Sequence, residues 1–343
     1  MMATMQSNGH QSAAGAQPLL VAQDLRMLFP VGRSRLLGGE ALFVHALDGV
    51  SFALDQQEVL AVVGESGCGK STLALTLMGL EQPTAGQIFF EGKEVTHAAG
   101  AERKALRRRM QMIFQDPYES LNPMMTIGEI VAEPLVVHGL GGSKAERMAL
   151  VTRALVDAGL KPAATYLHRL PHELSGGQRQ RVVIASALVL EPHLLLADEP
   201  VSMLDVSIRA EILNLLAELR ASRGISILFI THDLSTVAYF ADRIAVMYLG
   251  RIVELGPTAA VLQNPQHPYT KALLSVVPAP NPRLRRERVI LQGETPNPIH
   301  LPSGCRFHPR CPAAFARCLH EDPTLVTAGP GQQAACWLVA EAH

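Results

Sequence analysis

Val59-Leu60-Ala61-Val62-Val63 runs directly into Gly64-Glu65-Ser66-Gly67-Cys68-Gly69-Lys70-Ser71, and then into Thr72-Leu73-Ala74-Leu75-Thr76-Leu77. An apolar run of this length predicts a buried strand, and the segment after the glycines predicts a helix. Glycines at 64, 67 and 69 let the chain curl until successive N–H groups point inward as an anion nest, to which the helix start adds its positive end. Lys70 is placed to reach terminal phosphates and the Ser71 hydroxyl to ligate magnesium. Gly64, Glu65, Ser66, Gly67, Cys68, Gly69, Lys70, Ser71 and Thr72 are therefore the candidate contacts for a nucleoside triphosphate. A strand feeding a phosphate loop and a helix commits the chain to an α/β core.

With 343 residues and 48% hydrophobic content, the chain can bury a sizeable core, and its length suggests two or three structural units. A formal net charge of −1 creates no positive field for nucleic acid or an anionic membrane. The basic clusters Arg103-Lys104 with Arg107-Arg108-Arg109, and Arg283 with Arg285-Arg286 and Arg288, read as solvated faces. No stretch has the roughly 18–20 uninterrupted apolar residues of a membrane span. Met1 to Gln17 has neither a basic start nor an apolar core, so residues 1–18 read as a disordered tail and not a signal peptide.

Leu19–Phe29 and Phe43–Leu54 alternate as strands around a loop at 32–41, and residues 84–95 read as a hairpin turning near Glu91-Gly92. Helical patterns dominate from Gly128 to Val189, broken by Pro134, by Gly139 to Gly142 and by Pro171, as in a helical subdomain inserted at about 118–190. The core resumes with Leu194-Leu195-Leu196-Ala197. A helix carrying Ile208, Ile212, Leu215, Leu216 and Leu219 and a buried strand, Ser226 to Ile230, follow. Residues 243–255 form a hairpin about Gly250, after which prolines at 265, 268, 278, 280, 282, 296, 298 and 302 mark an extension. Strand alternating with helix implies a parallel sheet covered on both faces.

Asp198 and Glu199 end the Leu194 strand, where one carboxylate can hold a magnesium shell and the other polarise a water. Leu174-Ser175-Gly176-Gly177-Gln178 opens a helix with two glycines that allow close approach to an anion, a device a single phosphate loop does not need. With Gln115 in Ile113-Phe114-Gln115-Asp116-Pro117, Ser202-Met203-Leu204-Asp205, and His232 in Thr231-His232-Asp233, these motifs follow one another in a fixed order. In that order the chain resembles the ATP-binding cassette ATPases. The resemblance implies Walker A at Gly64 to Ser71, a Q-loop at Gln115, and a signature at Leu174 to Gln178, with Ser175, Gly176, Gly177 and Gln178 facing the nucleotide. It implies Walker B at Leu194 to Asp198, and a switch histidine, His232. Catalysis would fall to Glu199, His232, Lys70 and Gln115, magnesium to Ser71, Gln115 and Asp198, and adenine stacking to Phe29, favoured over Phe43. The implied fold is a P-loop core with a parallel sheet, an antiparallel β subdomain and an inserted helical subdomain, spanning residues 19–264. A cysteine-rich extension would span 265–343.

Residues 198–207, 246–254 and 264–270 (Asn-Pro-Gln-His-Pro-Tyr-Thr) narrow the resemblance to the dipeptide/oligopeptide importer ATPases, on the side of their second ATPase subunit. This implies a peripheral protein on the cytoplasmic face of the inner membrane. Its partners would be a related second ATPase subunit, two transmembrane permease subunits and, indirectly, an extracytoplasmic solute-binding protein, with no nucleic acid. Met203 and Ser186 depart from the usual Ala and Arg. Similar ATPases also serve nickel, other metals and glutathione, and a soluble cassette acting on nucleic acid or ribosomes is the rival from another class.

Cys305, Cys311, Cys318 and Cys336 are separated by five, six and seventeen residues in a segment with little apolar content of its own. Four thiolates could take zinc or an iron–sulfur cluster, and the close Cys-x-x-Cys chelate common in zinc sites is missing. The importer family's Gly-Cys-x-Phe and Arg-Cys-Pro pattern, here Gly304–Phe307 and Arg310–Pro312, implies a [4Fe–4S] cluster. Cys68 is expected to remain outside it.

Overall fold

The computed structural model describes residues 17–31, 41–276, 289, 291 and 293–341. Most of the expected N-terminal tail, the loop at 32–40, Arg283, Arg285, Arg286 and Arg288, and the prolines at 278, 280 and 282 lie outside the described residues.

Twelve strands form two sheets among the described residues. The smaller, antiparallel sheet has the order β2-β1-β4-β5, from β1 (Leu20–Val31), β2 (Leu42–Leu54), β4 (Ala85–Phe90) and β5 (Lys93–Glu94). Its hairpin turns at Glu91 and Gly92, both at positive φ. The larger sheet, which includes β10 (Arg251–Pro257), β11 (Val326–Gly329) and β12 (Gln332–Ala334), has the order β11-β12-β10-β9-β3-β8-β7-β6. Its parallel part comprises β9 (Arg243–Tyr248), β3 (Val59–Val63), β8 (Ser226–Thr231), β7 (Leu194–Asp198) and β6 (Met110–Ile113). Every residue of β3, β7 and β8 is buried, as strands covered on both faces require.

Between the sheets Leu20, Leu25, Leu47, Leu54 and Ile88 meet Leu60, Val62, Leu73, Leu196 and Leu228 in one core. On the other face the helical block packs Ile127, Val131, Val151, Leu155, Val182 and Ile184 against Leu195, Ala197, Ile227 and Phe229. Helix α1 (Lys70–Leu77) leaves the phosphate loop, and α2 (Gly100–Arg109) leads into β6. Neither α2 nor β6 was anticipated from the sequence, because a run of arginines hides the buried Leu106 and the four-residue edge strand behind it.

The helical block comprises α3 (Pro117–Ser120), α4 (Ile127–His138), α5 (Lys144–Asp157) and α6 (Gly176–Leu188). Pro134 does not break α4, contrary to expectation: the helix runs through it to a left-handed Gly139. Reciprocal hydrogen bonds between Thr126 and Glu129 cap its start, and Ile127, Ile130, Val131 and Leu135 bury its inner face. Together these offset the lost amide donor. Beyond it, α7 (Val206–Arg223) and α8 (Leu234–Phe240) flank β8.

The C-terminal part is not a separate unit held by its cysteines. After β10 (Arg251–Pro257), α9 (Thr258–Gln263) and α10 (Pro268–Ser275), the chain passes α11 (Ala316–His320) and returns as β11 (Val326–Gly329) and β12 (Gln332–Ala334), ending in α12 (Trp337–Ala340). Strand β12 pairs with β10, Glu254 opposite Ala334, so the extension lengthens the main sheet. The buried Glu254 carboxylate accepts from the Gln266 and His267 amides (2.8 and 2.9 Å) and from Gln332 Nε2 (2.7 Å), joining α10 and β12 at one point. Phe307 packs against both Tyr248 and Tyr269, with ring centroids 5.3 and 5.4 Å away. The expectation that this segment is too apolar-poor to fold alone is met by docking, since it borrows the cassette's aromatic residues.

Candidate active site

Strands β3, β8 and β7 are parallel neighbours, so their C-terminal ends present the phosphate loop, His232 and the Asp198-Glu199 pair along one edge, where open parallel sheets bind ligands. Two glycines of the loop are dictated by close approach. A Cβ on Gly64 would lie 2.2 Å from the Met247 carbonyl oxygen, and one on Gly69, at φ 104°, would lie 2.2 Å from that of Ala46. Lys70 is buried and its ammonium donates to the Gly64 and Glu65 carbonyls, both at 2.9 Å. It also lies 3.8 Å from Cys68 Sγ, a thiol whose burial pushes its pKa up. The loop thus keeps its cation on backbone oxygens.

Asp198 is buried, and its Oδ1 has no hydrogen-bond partner. Burial pushes its carboxyl above the ordinary value, and the Glu199 charge adds to that, while the Ser71 hydroxyl and Lys70 oppose it. A buried, orphaned carboxylate oxygen beside a serine hydroxyl fits the donor set of a hard divalent cation.

Glu199 has φ 47°, a conformation that costs a non-glycine residue about 1 kcal/mol or more. Its amide donates to the Ile230 carbonyl of β8 (2.9 Å), and Ser202 of the following turn donates to its carbonyl through N–H (3.2 Å) and hydroxyl (3.0 Å). So held, its carboxylate receives Gln115 Nε2 at 3.2 Å and faces His232 Nδ1 at 3.1 Å. Two residues from two other motifs converge on one carboxylate. Arg209 bonds Asp233 (2.9 Å) and the Leu204 carbonyl (3.4 Å), tying the turn after Glu199 to the residue after His232.

The signature residues stay apart from this cluster. Ser175 and Gln178 form a reciprocal cap on α6 (3.1 and 3.3 Å), and a Cβ on Gly177 would meet Ile208 at 2.6 Å. Among the described residues, no hydrogen bond joins 175–178 to the phosphate loop. Phe29 is half-buried in β1, packed on the inter-sheet core and paired with Val44. Ser66, Gly67 and Ser71 are open to solvent, and Thr72 begins to turn inward in α1.

Sequence reasoning missed the residues that surround Glu65. Tyr269 hydroxyl accepts from the Glu65 amide (2.9 Å), and the Glu65 carboxylate receives Arg310 at 2.7 and 3.0 Å and Thr295 at 2.8 Å. Tyr269 lies in the Asn-Pro-Gln-His-Pro-Tyr-Thr segment, but nothing local to Thr295 or Arg310 marks a partner more than two hundred residues upstream.

The [4Fe–4S] expectation, and its zinc alternative, are corrected. Among the described residues, no three His, Cys, Asp or Glu side chains converge into a group able to hold a metal ion. Cys305, Cys311, Cys318 and Cys336 are free. Burial pushes the Cys305 thiol up to about 11 and raises Cys311 and Cys336 as well. The four-thiol pattern suggested ligands, but the docking contacts supply the cohesion assigned to them.

A phosphate loop, a buried carboxylate with a free oxygen and a Gln-Glu-His cluster on one sheet edge define a P-loop ATPase of the cassette type. Residues 47–202 match the ABC transporter family, and residues 253–318 match the oligopeptide/dipeptide transporter C-terminal region. The dipeptide transport ATP-binding protein DppF of Haemophilus influenzae is 48% identical over 321 residues, covering 93% of this chain and 96% of that protein. DppF of Escherichia coli is 46% identical over 329 residues, covering 96% and 97%. A dimeric post-hydrolysis structure of the ATP-binding cassette MJ0796 with ADP and Pi superposes with TM-score 0.61 at 28% identity, covering 70% of this chain and 98% of that one. This chain belongs to the ABC transporter family, among its oligopeptide/dipeptide transport ATP-binding proteins.

Proposed function

We propose that this chain is the ATP-hydrolysing subunit of an importer that energises uptake of dipeptides or oligopeptides. The observation that carries the reading is the convergence of Gln115 and His232 on Glu199, beside Asp198 at the end of the same strand. Lys70 and the loop amides of residues 64–71 stabilise charge on the transferred phosphoryl group, with Ser66, Gly67 and Thr72 along the path of the phosphates. Asp198, Ser71 and Gln115 would hold Mg²⁺, which would supply positive charge to offset that developing on the phosphates. Glu199 orients and polarises the attacking water, while His232 and Gln115 fix that carboxylate and sense the γ-phosphate. Phe29 stacks on adenine.

Ser175 to Gln178 complete a site on a facing cassette, which explains a glycine-bearing helix start with no bond to its own phosphate loop. That cassette is a related second ATPase subunit. No helix among the described residues is long and apolar enough to cross a membrane. By likeness to the dipeptide transport ATP-binding proteins, the pathway belongs to two permease subunits, fed by an extracytoplasmic binding protein. The chain sits on the inner face of the cytoplasmic membrane. Its cassette occupies residues 19–264, with the helical subdomain at about 118–190, and residues 265–343 follow as a C-terminal extension. Co-expression with its membrane partners, reconstitution in vesicles and measurement of ATP-driven uptake test the reading. Labelled dipeptide should accumulate in preference to Ni²⁺ or glutathione. Uptake of either of those without peptide would overturn the substrate class.

A further inference from the structure

Glu65 places a carboxylate inside the phosphate loop, where a polyanion must dock. Its amide is taken by the Tyr269 hydroxyl (2.9 Å), its carbonyl accepts from Lys70 (2.9 Å), and its carboxylate is gripped by both nitrogens of the Arg310 fork (2.7 and 3.0 Å). Thr295 donates to the same carboxylate (2.8 Å), and Arg310 also reaches the Thr295 hydroxyl (3.2 Å). Arg310 is 9% exposed, and its guanidinium lies 5.9 Å from the centroid of the Tyr248 ring. Tyr248 packs in turn against Tyr269 at a tilt and edge-on against Phe307, three residues before Arg310. Both partners of the fork are therefore fixed, one by the loop and one by the docked extension.

We propose that Arg310, from the C-terminal extension, is a positioning residue for nucleotide binding: it neutralises and orients Glu65 so that the phosphate loop can accept a triphosphate. The proposal rests on residues 64–71 being the ATP site. Without Arg310, the loop's carboxylate keeps only the Thr295 hydrogen bond and the Lys70 charge, so it repels the phosphates and competes with them for Lys70. Burial alone would raise the Glu65 pKa, but the Arg310 and Thr295 hydrogen bonds and the Arg310 and Lys70 charges hold it below its ordinary value. It therefore remains an anion near neutral pH, and repulsion is the consequence of losing its partner.

Equilibrium binding of Mg-ATP to the full chain tests this, with thermal midpoints recorded for each variant. Arg310→Ala should weaken binding about tenfold or more, the scale of a lost charge-assisted fork. Arg310→Lys should recover part of the loss, since charge is kept and the fork is not. Adding Glu65→Gln to Arg310→Ala should restore most of it, which a merely structural role would not allow. Arg310→Ala binding within twofold of wild type, or no gain from the added Glu65→Gln, would overturn the proposal. If Arg310→Ala does not fold, Arg310→Lys carries the same comparison: weakened binding that Glu65→Gln restores supports it, and unweakened binding overturns it. Loss of Mg-ATP binding in Lys70→Ala reports on the ATP site independently of Arg310.

Discussion

The edge that carries Lys70, Asp198, Glu199 and His232 and the extension that carries Phe307 and Arg310 are built by different physics. At the edge, each functional group follows a buried parallel strand, so sheet register alone brings residues 70, 198 and 232 together. The extension is held by contacts that cross the whole chain: Arg306 with Asp48, Arg251 with Asp322, Arg310 with Glu65, and β12 on β10. Strand ends make a site robust to everything except the motif residues, whereas an extension docked by ion pairs depends on single charges. The difference teaches that losing chemistry and losing the extension require different substitutions.

The largest effect is expected at Arg306, which is 8% exposed, pairs with Asp48 and donates to the Leu249 carbonyl at 2.6 Å. Arg306→Ala leaves a poorly exposed carboxylate short of its nearest partner, and breaking a buried pair typically costs about 3 kcal/mol. Hydrogen exchange should show residues 293–341 opening while β3, β7 and β8 stay protected; uniform loss of protection would erase the contrast drawn above. Lys70→Ala should do the converse, weakening Mg-ATP binding by roughly 100-fold, since several charge-assisted bonds are lost, with protection of the extension unchanged.

A smaller effect sharpens the picture of the signature helix. In the isolated chain Ser175 acts as an N-cap, so Ser175→Ala should lower stability by about 1 kcal/mol in a denaturant titration. A loss near zero would mean that the cap bonds contribute nothing until another cassette is present. The smallest effect concerns acid. Burial raises Asp48 and Glu65, but hydrogen bonds and charges from Arg306, Arg251 and Arg26 on the first, and from Arg310, Thr295 and Lys70 on the second, leave both below their ordinary 3.8 and 4.5. Groups depressed by folding stabilise above the ordinary value and lose that contribution as pH falls through the folded one. Docking of the extension should therefore hold at pH 5 and weaken below about pH 4. Weakening that begins near pH 6 would point to histidines instead.

The phosphate loop, the acidic pair, Gln115 and His232 were legible because each is a short pattern fixed by a strand end, and register did the rest. Resemblance implied catalytic roles for Glu199, Gln115 and His232, but neither their convergence on one carboxylate nor the positive φ of Glu199, since a strained backbone leaves no mark in the sequence. The extension was largely illegible. Gly331 and the short strands around it carry no period, and the partners of Arg306 and Arg310 lie 258 and 245 residues away. Four cysteines offered the conspicuous pattern there and drew the inference toward a metal, when a phenylalanine among tyrosines and three arginine ion pairs were holding the segment. Pro134 misled for the opposite reason: local propensity was correct, and a capped, well-buried helix overrode it.

The central claim is that Glu199, held by Gln115, His232 and its own strained backbone, is the group that makes this cassette hydrolyse ATP. Turnover and Mg-ATP affinity of Glu199→Gln, measured side by side in the assembled transporter, test it most directly. Affinity should match wild type while turnover falls by about 10² or more, the scale of a lost general base. Turnover within a few-fold of wild type at equal affinity would contradict the claim.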